Sequence, residues 1–182
     1  TLRHTGSYLQ GHPDMKHIPG VDMSSGSLGQ GVSAAVGMAA AGKYDKKDYR
    51  VYTLTGDGEI QEGQIWEAGM FAAHHKLDNL IAMTDWNGQQ IDGTVEAVAG
   101  EGDLEAMWKS FGWNVIVADG HDFESILPAF AKARENKGAP TMILFKTEMG
   151  HGVDFMAGTG KWHGKAPSPE QCQDALTQLE ET

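Results

Sequence analysis

The stretch "TGDGEIQEG", Thr55–Gly63, decides how the chain is read. It follows "YRVYTL", Tyr49–Leu54, an apolar run with β-branched and aromatic residues that reads as a strand. Asp-Gly after a strand is ordinarily a hairpin signal, because Gly accepts the positive φ of a type I′ turn. Two glycines flanking one aspartate also suit a site, where a ligand approaches the backbone and the carboxylate faces a cation. The next segment separates the two readings. Gln64–His75 places Ile65, Trp66, Ala68, Phe71 and Ala72 at helical spacing, so the next element is a helix and not a returning strand.

The same alternation runs along the chain. Small residues after a Ser/Gly-rich entry make Ser27–Tyr44 a closely packed helix. Asn79–Asp85 is a second apolar strand, Asp103–Phe111 a helix and Trp113–Ala118 a third strand. Phe123–Asn136 is a helix after the capping-type "GHD", and Pro140–Thr147 is a fourth strand. A glycine-rich stretch, Gly150–Gly164, precedes a last helix from about Pro169 to Glu180. The strand runs are apolar on both faces. Together these features predict an α/β fold, a doubly wound, mostly parallel sheet with helices on both faces. No repeat or linker divides it, so residues 1–182 are expected to form one domain. Ligands bind at the carboxyl ends of the strands in such sheets. "GDG", "DWNGQQIDG" and "EMGHG" all fall at such ends, which turns the suspected turn into a candidate site.

Composition sets outer limits. With 40% hydrophobic and 21% charged residues the chain reads as an ordinary globular protein. A net charge of −11 argues against nucleic acid and anionic membranes as partners, since it repels phosphate. A local pocket can still take an anion where a metal or backbone N–H groups supply positive potential. No apolar run approaches the ~20 residues of a membrane span. The single Cys172, read as a half-buried helix residue, fits a reducing compartment, and the expected location is the cytoplasm. Thr1 in place of Met leaves room for a processed or missing N-terminus.

Asn87 lies 30 positions after Asp57, each just past a strand. A carboxylate and an amide carbonyl are hard oxygen donors, suited to Mg²⁺ or Ca²⁺ and not to zinc. Mg²⁺ takes few ligands from protein and the rest from water and phosphate, so the pair implies a diphosphate as co-ligand. The glycines beside Asp57 and the following helix N-terminus would face that anion.

At this point six stretches taken together are telling. "GHPD", "GSLGQGVSAAVGMA", "GDGEIQEGQIWEA", "DWNGQQIDG", "DGHD" and "KWHGKAP" occur in order and cover nearly the whole chain. The chain resembles the diphosphate-binding (PP-type) domain of the thiamine-diphosphate-dependent transketolases, and most of all the N-terminal subunit of the two-subunit forms. The resemblance implies thiamine diphosphate and Mg²⁺ as cofactors, with Ca²⁺ or Mn²⁺ as substitutes. It implies Asp57 and Asn87 as side-chain ligands of the metal and Gln89 as a backbone ligand. Gly58 would contact the diphosphate, and Leu28, Met149 and Ile91 would line the cofactor pocket. His163 would touch the diphosphate near the substrate, and His12 would bond the transferred two-carbon unit. Glu62 would join a carboxylate network across a subunit interface. Trp86, beside Asn87, is placed to pack against the cofactor.

The implied reaction is transfer of a two-carbon ketol unit from a ketose phosphate to an aldose phosphate. A companion carrying the pyrimidine-binding domain would supply the activating glutamate, and self-association would give a heterotetramer. Members of the family carry an N-terminal segment with further active-site histidines, and by this resemblance the chain is expected to lack it. Other thiamine-diphosphate enzymes stay open, such as deoxyxylulose-phosphate synthase, phosphoketolase or a 2-oxoacid dehydrogenase component. So does an inert paralogue. "GSLGQG", "QIDG" and "WHG" favour transketolase. A dinucleotide reading of "GSLGQG" fails because no strand precedes it.

Overall fold

A computed structural model describes residues 1–100 and 102–180. In chain order the elements are α1 (Gln30–Tyr44), β1 (Val51–Gly56), α2 (Gly63–His74), β2 (Leu80–Trp86), the short β3 (Gln89–Gln90) and β4 (Gly93–Thr94), and α3 (Val95–Val98). Then come α4 (Leu104–Ser110), β5 (Asn114–Asp119), α5 (Phe123–Glu135), β6 (Thr141–Lys146) and α6 (Pro169–Glu180).

Four strands form a fully parallel sheet in the order β1-β2-β6-β5. Side-chain alternation then sorts the strand residues between two cores. Leu80 and Ala82 of β2 and Met142 and Leu144 of β6 pack with α1, α2 and α4 on one face. Ile81, Ile143 and Phe145 point the other way, onto Ala129 and Ala133 of α5. Steps from β1 to β2 to β5 put helices on the first face, and the return step from β5 to β6 puts α5 on the second. Right-handed crossovers require this swap of face when the direction of travel reverses.

Several expectations need correction. The first strand begins at Val51 and runs on to Gly56, because Tyr49 belongs with α1: its hydroxyl donates to the Met38 carbonyl at 3.0 Å. The first helix starts at Gln30, since Gly29 sits at φ 80° and holds Ser27–Gly29 in a turn. The first strand is not covered on both faces. Tyr52 and Leu54 are exposed, Leu54 to 63%, because β1 is an edge that α5 covers only in part, with Phe130 6.3 Å from the Tyr52 ring. Cys172 is exposed and not half-buried. A short hairpin does exist, but after β2, where β3 and β4 pair Gln90 with Gly93 around the two-residue loop Ile91–Asp92. Two-residue strands without an apolar pattern left it unreadable.

The cap suggested at "GHD" forms, and Asp103, read as the first residue of its helix, is instead the cap of α4. Asp122 accepts a hydrogen bond from Glu124 N–H at 2.9 Å, and Asp103 accepts one from Ala106 N–H at 2.9 Å. The first core centres on Trp108, which is 0% exposed and lies 5.0 Å from the Trp66 ring and 4.9 Å from the Trp113 ring. Trp113 Nε1 donates to the Gly69 carbonyl at 2.9 Å, tying this cluster to α2. We expect Trp108→Ala to lower stability by about 3–5 kcal/mol, the cost of a large buried aromatic and the cavity it leaves. Urea unfolding followed by circular dichroism would measure it, and a loss under about 1 kcal/mol would refute the central position given to Trp108.

Candidate functional site

The parallel register sets Gly56 beside Asp85, so the two chain segments leave the sheet together. Asp57, the next residue, is 1% exposed. Its Oδ1 accepts from Gly58 N–H at 2.8 Å and its Oδ2 from Gly88 N–H at 2.5 Å. Its own N–H donates to the Asp85 carbonyl at 3.1 Å. Asn87 Oδ1 accepts from Gln89 N–H at 2.8 Å, while its Nδ2 donates to Asp85 Oδ2 at 3.1 Å. Asp85 Oδ1 accepts from the Thr147 hydroxyl at the end of β6.

Burial pushes the Asp57 carboxyl above the ordinary carboxylate range, and the neighbouring Asp85 charge pushes the same way. Bonds from the Gly88 and Gly58 N–H groups oppose that rise without cancelling it. Among the described residues neither Asp57 nor Asp85 has an ion-pair partner. A divalent cation would supply the missing positive charge, and the donor set of carboxylate, amide carbonyl and backbone carbonyl is hard oxygen throughout. The residues fit Mg²⁺.

Three loops converge on this cluster. Glu59 bridges two of them, its Oε1 accepting from Gly29 N–H at 2.8 Å and its Oε2 from Gly56 N–H at 3.2 Å. Gln64 Nε2 donates to the Leu28 carbonyl at 3.1 Å, fixing the same turn from α2. Gly58 abuts the β3 strand so closely that a Cβ there would lie 2.9 Å from Gln90 Cβ. Gly160, at the start of the turn that leads into His163, approaches the Gln90 carbonyl in the same way.

Asp57, Gly58, Asn87 and Gln89 are thus brought together, with the Leu28 turn and the His163 loop alongside. His12 lies with its ring against Gly26 at the entry to that turn. His12, His163, Leu28 and Ile91 are exposed, Ile91 to 71%, and Met149 is half-buried. Glu62 is exposed where α2 begins and caps it with no side-chain bond. Trp86 is half-buried and packs against the first core, with Lys146 Nζ 5.5 Å from its ring centroid. A cavity of about 800 Å³ is not lined by Asp57 or Asn87. It runs along the open side of β1, lined by Leu28, Tyr52, Leu54 and Glu59 among others. Glu59, Asp85 and Thr147 were missed in the sequence. A lone carboxylate ending an apolar strand, two positions before Asn87, was the signal available for Asp85.

The chain is similar to known proteins. The model of the transketolase thiamine diphosphate binding domain matches residues 1–179. The chain belongs to that family. The 6-deoxy-6-sulfo-D-fructose transketolase subunit SqwG of a Clostridium strain is 45% identical over 180 residues, 99% of this chain and 66% of that protein. An apulose-4-phosphate transketolase subunit of Phocaeicola vulgatus is 41% identical, over 100% of this chain and 64% of its own length. The crystal structure of transketolase from Campylobacter jejuni superposes with a TM-score of 0.91 at 35% identity, covering 98% of this chain and 29% of that one. The chain therefore spans less than two thirds of the length of these members of the transketolase family.

The raised Asp57 pKa carries a sign. Ionising a carboxyl that the fold prefers protonated works against folding. The metal-free chain therefore loses stability as pH rises from the unfolded value, about 3.9, through the raised folded value, and then levels off. The difference in unfolding free energy between wild type and Asp57→Asn, followed from about pH 4 to 7, isolates this group. We expect that difference to fall with pH, and a flat profile would refute it.

Proposed function

We propose that this chain is the N-terminal, diphosphate-binding subunit of a two-subunit transketolase that uses thiamine diphosphate and Mg²⁺. The observation that carries the proposal is the Asp57–Asn87 oxygen cluster at the ends of β1 and β2, in a chain of this family. Asp57, Asn87 and the Gln89 carbonyl would hold the metal, and Gly58 would let the diphosphate approach the backbone. Leu28, Ile91 and Met149 would border the cofactor. When bound, the cofactor supplies an electron sink for breaking and making a carbon–carbon bond. His12 and His163, both exposed on loops, would serve in hydroxyl recognition and proton transfer.

Relatives named as transketolase subunits support a companion chain, and we place the pyrimidine-binding domain there. Met70 and Phe71, exposed on α2, together with Ser33, Gly37 and Ala41 along α1, offer faces for that companion and for self-association into a heterotetramer. Glu62 at the start of α2 would lie at such an interface. Ketose and aldose phosphates would be the substrates. No described helix is long and apolar enough to cross a membrane, and a cytoplasmic location suits sugar-phosphate chemistry.

Asp57→Ala should abolish Mg²⁺-dependent binding of thiamine diphosphate, measured by calorimetry on the assembled enzyme. Asn87→Ala should weaken it less, since only a neutral donor is lost. Wild-type affinity in Asp57→Ala would sink the metal assignment. With cofactor saturating, His12→Ala and His163→Ala should each lower kcat/KM by about 10²–10⁴-fold for a ketose-phosphate donor. Losses below about threefold in both would reject their roles.

A further inference from the structure

Asn87 can serve as a cation ligand only if its amide shows oxygen, and not NH₂, to the metal. Two neighbours decide this. The Gln89 N–H points at Oδ1 from one side, and the Asp85 carboxylate takes Nδ2–H from the other. A flipped amide would set oxygen against carboxylate and NH₂ against N–H, two repulsive contacts in place of two attractive ones. Asp85 is in turn held by the Thr147 hydroxyl. Thr147 is branched at Cβ, which restricts its side-chain rotation. Its N–H donates to the Trp86 carbonyl at 3.2 Å, fixing it to β2.

The last link is Gly120, from the "DGHD" stretch whose purpose the cofactor site leaves unexplained. Its N–H donates to the Lys146 carbonyl at 2.8 Å. A Cβ on Gly120 would overlap Thr147 Cγ2 and lie 3.2 Å from both the Lys146 carbonyl oxygen and Phe145 Cβ. Any side chain at 120 would push Thr147 away from Asp85.

We propose that Gly120, Thr147 and Asp85 form a positioning chain that orients Asn87 as a metal ligand. The inference rests on the metal reading given above. These residues do not touch the metal. They act through the amide, as outer partners of metal ligands do, where their loss costs about 10–100-fold in metal affinity.

The test is a Mg²⁺ titration of the enzyme assembled with its companion, at saturating thiamine diphosphate, read by calorimetry. Thr147→Val keeps the shape and removes the hydroxyl, and Asp85→Asn removes the charged acceptor. Each should weaken Mg²⁺ binding about 10–100-fold. Thr147→Ser should stay near wild type, and Gly120→Ala should fall with the valine variant. Activity lost in Thr147→Val should return as Mg²⁺ is raised, which a general packing defect would not allow. Unfolding midpoints identify any variant that fails to fold, and Asp85→Asn then carries the test. Asp57→Ala in the same titration separates the two claims. If it loses binding while Thr147→Val and Asp85→Asn stay within threefold of wild type, the positioning chain is overturned and the metal site stands. If Asp57→Ala binds Mg²⁺ as wild type does, or the wild-type enzyme binds none, both claims fall together.

Discussion

A carboxylate buried where two parallel strands end is the constraint on which the rest of this structure depends. Removing the Asp57 charge from water is costly, and two backbone N–H groups, from Gly58 and Gly88, offset only part of that cost. The second donor lies 31 residues from Asp57 in sequence, so the carboxylate joins the β1 end to the β2 end. The glycines around it follow from this. At Gly58 a side chain would strike Gln90, and the loop after β2 could no longer close over the aspartate.

Around this junction the protein spends polar side chains on holding loops. Glu59 reaches back to the turn before α1, and Thr147 reaches across from β6. Gln178 of α6 receives the Asp154 N–H at 2.8 Å and donates to its carboxylate at 2.9 Å, tethering the stretch that leads to His163. α6 contributes no buried residue of its own, so its packing role is minor and its tethering role is the larger. The apolar layers provide rigidity, and these few bonds transmit it to loops that have no core beneath them.

How much of this could be read beforehand depends on the range of the interactions. Strands and helices were legible because apolar spacing is a local signal, and their ends moved by only a few residues. Asp57 and Asn87 were legible because a parallel sheet brings successive strand ends together. The Thr147–Asp85 bond, spanning 62 residues, was not, since nothing near Thr147 says which strand will lie beside it. The coverage of β1 was misjudged for a related reason. Tyr52 and Leu54 look like core residues in sequence, and only the strand order reveals them as an edge. Cys172 was misplaced because α6 turns so little of its surface inward.

That edge has a consequence for handling the protein. The free side of β1 presents a row of backbone donors and acceptors flanked by exposed Tyr52 and Leu54. Such an edge is a template for strand addition by another molecule, and natural sheets usually blunt theirs with charge, bulges or cover. Here the local defence is thin: Arg50 at the approach to the strand, and the general repulsion of a chain carrying −11 net charge. High salt would screen that repulsion. Concentrated, high-salt solutions of the isolated chain are therefore where edge-to-edge aggregation should begin.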